Sequence, residues 1–149
     1  WTPATVLFFA FEARTGCGWK SYSVFSTEAT AREEFGAPVP GMSPVASEIL
    51  DVSQLKAGDV LLLVGFHENA AEKPIGRLNG APVWVWHTGM YSGNGRWIVG
   101  DHFAGKVVEV DLKTYLKLHA DTYQGVFVTR LDRGPKPRSC RKNLPMKRP

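Results

Sequence analysis

Two residues of this chain supply the chemistry of a thiol hydrolase if the fold brings them together: Cys17 and His87. A free cysteine titrates at about 8.5, so at neutral pH most of it is thiol, while the thiolate is the nucleophile. An imidazole titrates close to neutrality and can take the thiol proton and pass it to a leaving amine. His87 lies in Trp86-His87-Thr88-Gly89-Met90-Tyr91-Ser92-Gly93-Asn94-Gly95-Arg96-Trp97-Ile98, which reads as a β-hairpin turning at Asn94-Gly95. Strict strand alternation puts Val85, His87 and Gly89 on one face, with Trp84, Trp86 and Thr88 on the other. Gly89 is expected to leave room for a substrate backbone beside the imidazole.

The third member of the set depends on hairpin register. A two-residue Asn94-Gly95 turn pairs Gly93 with Arg96 and sets His102 opposite His87. A three-residue loop pairs Ser92 with Arg96 and sets Asp101 there instead. A carboxylate or a neutral imidazole can each accept the ring proton, and the sequence leaves both open. His119 reads as solvated beyond a short helix, and His67-Glu68 as part of a long loop. No spacing among His67, Glu68, His87, Asp101 and His102 fits a metal pattern such as His-Glu-x-x-His, so no metal and no cofactor is expected. Trp19, near Cys17, and Trp86, beside His87, are the aromatic candidates for substrate contact.

Around these residues the pattern of elements is legible. Residues 19–35 carry Tyr22, Phe25 and Ala29 at helical steps, with Gly36 as a stop. Cys17 would sit at the start of that helix, where exposed N–H groups favour a thiolate. Residues 37–44 hold three prolines and read as a loop, and 44–50 as a short helical turn. The run Val60-Leu61-Leu62-Leu63-Val64 is apolar throughout, which implies a strand buried on both faces. Residues 66–82 form a long connection, with Asn79-Gly80 as a tight turn, and are a candidate cover for a groove. Strands are expected at 83–91, 96–100, 106–110 and 125–131, with a short helix at 111–118 capped by Asp111. A helix followed by about five antiparallel strands is an α+β domain.

Composition sets the outer bounds. The chain has 149 residues, 44% of them hydrophobic, which suits one domain with a buried core. The expected division is a domain at 1–132 and a basic, Pro-rich tail at 133–149. Seven bases and no acid follow Asp132; without them the body holds 11 bases against 14 acids, a net −3 under an overall +4. Such a tail is expected to be solvated or to tether the protein to an anionic polymer. No aromatic residue interleaves its charges, so no nucleic-acid partner is expected. No apolar run approaches the ~20 residues of a membrane span. A chain that begins at Trp1 is expected to be a processed or trimmed product. The two cysteines, Cys17 and Cys140, allow one disulfide, and that pairing would remove the nucleophile.

The segment Leu55-Lys56-Ala57-Gly58-Asp59-Val60-Leu61 resembles the Leu-x-x-Gly-Asp-Leu-Val strand start of NlpC-type cell-wall peptidases. His87-Thr88-Gly89-Met90-Tyr91-Ser92-Gly93-Asn94-Gly95 is similar to that family's His-Val-Gly-Ile-Tyr-x-Gly-Asn-Gly hairpin. The resemblance implies a papain-like fold, with an N-terminal helix bearing Cys17 packed on the sheet. It also implies cysteine-dependent hydrolysis of an amide bond in peptidoglycan stem peptides. A secreted, periplasmic or cell-wall location follows, with an inhibitor or immunity protein as a further partner. Two departures stand out. Gly16-Cys17-Gly18 replaces the family's Asp-Cys-Ser-Gly, and Val99 occupies the position of its third polar residue. Two other readings stay open: a catalytically inactive wall-binding or interaction module, and a thiol acyltransferase.

Overall fold

A computed structural model describes residues 38–70, 73–101 and 104–130. Cys17, Trp19, the 19–35 helix, His102, Cys140 and the 133–149 tail lie outside them. Within the described residues one sheet dominates. It is built from β1 (Val45–Ala46), β2 (Val60–Gly65), β3 (Gly76–Leu78), β4 (Ala81–Gly93), β5 (Arg96–Asp101), β6 (Lys106–Asp111) and β7 (Gly125–Thr129). The strand order is β1-β7-β2-β4-β5-β6, with β3 added on β4, and every pairing is antiparallel.

The expectation of an α+β, papain-like architecture is overturned. The described residues hold seven strands, two 3-10 turns (Ser47–Ile49 and Val52–Gln54) and a single α-helix, α1 (Leu112–Leu118), which lies between β6 and β7. Two features shift the balance toward sheet. β4 runs for 13 residues, longer at both ends than its apolar pattern indicates. Part of the 66–82 connection also folds back as β3, through the two-residue turn Asn79-Gly80. Both turn residues have positive φ, as a type I′ hairpin requires. Ile75 and Leu78 are thereby buried in the core, so this stretch is a sheet element and not a groove cover.

β2 is central and fully buried, and its alternate residues feed two cores. Val60, Leu62 and Val64 pack with Ile75, Leu78, Val83, Val85 and Phe127 on one face. Leu61 and Leu63 pack with Tyr91, Trp97, Val99, Leu112, Tyr115 and Leu116 on the other. The helix belongs to this second face, burying Leu112, Tyr115 and Leu116. Asp111 caps it by accepting from the Thr114 amide at 2.9 Å. That hydrogen bond, together with one from the Thr114 hydroxyl, holds the Asp111 carboxyl below its ordinary range. Lys113 ties α1 to the start of the described chain, its Nζ donating to the carbonyls of Ser47 and Leu50.

A buried ion pair aligns the middle of the sheet. The Asp59 carboxylate accepts from Arg130 Nε and Nη2, each at 2.8 Å, and from the Lys56 amide at 2.8 Å. Asp59 and Gly58 also bond Tyr91 through the main chain, fixing the start of β2 against β4. Gly58 adopts φ +94, a conformation that only glycine takes without strain.

Candidate active site

β4 carries the histidine, and two irregularities decide where it points. The first lies against β2. Leu63 pairs with His87 but Val64 pairs with Val85, so β4 has one extra residue, Trp86. Across a β-bulge the alternation of faces is broken. Val85 packs in the first core beside Val83 and Val64, whereas His87 stands opposite Leu63 of the second. The expected sharing of one face by Val85 and His87 therefore fails. Trp86 joins the histidine's side instead. A Cβ on Gly65 would stand 3.5 Å from Trp86 Cδ1, 2.9 Å from the Thr122 carbonyl and 3.0 Å from Gln124 Oε1. Trp86 is 39% exposed, and its Nε1 donates to the His67 carbonyl at 2.9 Å. The His67 and Trp86 rings lie 5.6 Å apart.

The second irregularity lies against β5. The hairpin does turn in two residues, Asn94 and Gly95, both at positive φ, and Gly93 pairs with Arg96. Beyond Ser92 the register shifts by one: Tyr91 pairs with Trp97 and Gly89 with Val99. The two-residue turn thus ends in the register expected of the longer loop. Continuing that register sets Asp101 across from His87. A main-chain group also meets the ring. His87 Nε2 lies 2.8 Å from the Gly100 carbonyl oxygen. A carbonyl only accepts, so the ring carries a proton at Nε2. The Asp101 carboxylate accepts from the Ala104 amide at 3.1 Å, and the Asp101 carbonyl accepts from Gly105. Asp101 therefore secures the turn that presents the Gly100 carbonyl.

His87 is 6% exposed. Its ring stacks on Tyr123, with centroids 6.1 Å apart and planes 11° apart. Tyr123 in turn faces His119 at 6.2 Å, and His119 packs on Tyr115 at 4.3 Å. The expectation of a solvated His119 gives way to a half-buried ring between two tyrosines. Burial raises the Tyr115 and Tyr123 phenols above their ordinary range, and both stay neutral at physiological pH. The sequence offers no periodic signal for Tyr123 or His119, because both follow the buried turns of α1 in irregular chain. Among the described residues, no three His, Cys, Asp or Glu side chains gather as a metal site would require.

Gly89 has a different task from the one expected of it. A Cβ there would come within 2.6 Å of the Ile98 carbonyl oxygen and of the Trp97 ring. The space beside Gly89 is filled by indole and is not a substrate path. Gly89→Ala is expected to destabilise the fold by about 1–3 kcal/mol through overpacking, seen as a lower urea midpoint at unchanged m-value.

Trp86, His87 and Asp101 are thus described, with the first two on one face of β4. Cys17, Trp19 and His102 lie outside the described residues. No protein-family model, no curated protein and no solved structure matches this chain.

Proposed function

We propose that the protein is a cysteine hydrolase that cleaves an amide bond, with Cys17 as nucleophile and His87 as proton carrier. One observation supports the reading above the others. His87 is buried, with its Nε2 proton held by a main-chain carbonyl. That holds the ring in the fixed orientation that a general base needs.

In this mechanism Nδ1 of His87 takes the proton of the Cys17 thiol, and the sulfur attacks the carbonyl carbon. The Gly100 carbonyl stabilises the imidazolium through Nε2–H. Collapse of the tetrahedral intermediate breaks the C–N bond, and the imidazolium gives its proton to the leaving amine. Water, deprotonated by Nδ1, then attacks the thioester and releases the acid and the thiol. We assign substrate contact to the Trp86 indole, which is part-exposed and on the same face as the base.

The substrate class rests on the 55–61 and 87–95 segments, whose likeness to cell-wall peptidases points to peptidoglycan stem peptides. A location in or beyond the cell envelope belongs to the same proposal, as does attachment to an anionic wall polymer through the basic tail.

The full chain incubated with purified peptidoglycan is expected to release new amino groups, and Cys17→Ala to release none. Iodoacetamide is expected to alkylate Cys17 rapidly near pH 6. No release by the wild type, or equal release by Cys17→Ala, would overturn the reading. Alkylation that needs a reductant first would identify the Cys17–Cys140 disulfide and favour an inactive binding module.

A further inference from the structure

The geometry points to the face of the Trp86 indole as a receptor for a cation, of the kind that a basic side chain of a peptide carries. This deepens the substrate contact assigned to Trp86 and rests on the hydrolase reading where cleavage is concerned.

Trp86 is the extra residue of the β4 bulge, and its indole stands outside both cores, 39% exposed. A side chain that must be ordered on binding makes a weak receptor. This indole is ordered already. Its Nε1 donates to the His67 carbonyl at 2.9 Å. The chain that carries that carbonyl is held on both sides. The Phe66 amide donates to Gln124 Oε1 at 3.1 Å, and the Asn69 side chain donates to the Val85 carbonyl at 3.3 Å. Cδ1 of the indole faces the Gly65 main chain, 3.5 Å from where a Cβ would stand. The His67 imidazole leans beside it, with centroids 5.6 Å apart and planes at 41°.

The ring N–H is the one hydrogen-bonding group of an indole, and here the main chain engages it. What Trp86 offers a ligand is its π face, which carries negative potential and attracts cations more strongly than the ring of Tyr or Phe does. The neighbouring charges favour the same sign of ligand. Two segments border the indole: 65–70 through the His67 carbonyl, and 119–124 through Thr122 and Gln124, which meet Trp86 around Gly65. Their Asp, Glu, Lys and Arg residues are Glu68 and Asp121 alone, both acidic and both exposed. The nearest bases along the chain, Lys73 and Lys117, lie beyond both segments. A border of this kind draws cations and repels phosphate, sulfate and anionic headgroups. A neutral sugar ring would meet the same π face and gain nothing from the acids.

The test titrates the full chain with a Gly-Lys-Gly peptide blocked at both ends, and with its neutral norleucine analogue. Peptide-observed NMR reads binding in every variant, and the Trp86 indole N–H signal reads it in the wild type. The lysine peptide is expected to bind about fivefold more tightly than the norleucine peptide. Trp86→Leu is expected to abolish that preference. Glu68→Gln combined with Asp121→Asn, at exposed positions, is expected to lower lysine-peptide affinity about two- to threefold with the fold intact. Equal binding of the two peptides would overturn the assignment and leave an apolar or glycan platform. Undiminished preference in Trp86→Leu, or in the double variant, would overturn it too. A Trp86 signal that moves with salt alone and ignores the peptide would give the face to the chain's own basic tail, which also overturns binding of a separate peptide. If the wild type cleaves no peptidoglycan, the hydrolase reading falls by itself, and the titration still decides whether Trp86 holds a cation.

Discussion

His87→Gln is expected to abolish amide hydrolysis of purified peptidoglycan, lowering kcat by about 10³-fold or more with the melting temperature little changed. The glutamine amide nitrogen reaches the position of Nε2 and can still donate to the Gly100 carbonyl, so the buried acceptor need not be stranded. What disappears is a basic nitrogen able to carry a proton.

The largest stability effect is expected at Asp59, far from the reacting atoms. Its carboxylate is 1% exposed and satisfies both nitrogens of the Arg130 fork as well as the Lys56 amide. Removing one partner of such a pair leaves a charge without compensation, which typically costs about 3–5 kcal/mol. Arg130 keeps 14% of its side-chain exposure, so Asp59→Ala is expected at the lower end, about 3 kcal/mol. Urea unfolding followed by tryptophan fluorescence measures it. Arg130→Met combined with Asp59→Ala should recover much of the loss, since an apolar pair strands no charge. Failure of the double variant to recover would show that the Lys56 turn, and not the ion pair, carries the effect.

The parts that were legible from the residues alone are the local ones. Asn94-Gly95 and Asn79-Gly80 announce two-residue turns because each needs positive φ, and both form. Asp111 ahead of Leu112, Tyr115 and Leu116 announces a capped helix, and the structure has one. The unbroken apolar run at 60–64 announces a strand covered on both faces, and β2 is one. What was not legible is where β4 departs from period two. Each bulge adds one residue whose side chain gives no warning, and each exchanges faces for everything beyond it. The Trp86 bulge misleads any count that runs from Val85 to His87. The Ser92 shift misleads any count that runs from the turn to Asp101. The excess of sheet escaped for a related reason, since β3 hides in a polar connection whose only apolar anchors are Ile75 and Leu78. Tyr123 escaped because its partner lies 36 positions away and neither belongs to a repeating pattern.

The acceptor for His87 Nε2 has a genetic consequence. A peptide oxygen belongs to all twenty amino acids, so no codon change at position 100 can delete it. Drift there is invisible to this contact as long as β4 and β5 keep their alignment. The trait is inherited through the pairing of two strands and lost only when they slip. A search among descendants for a matching polar column would find nothing, even where the proton is held as firmly as before.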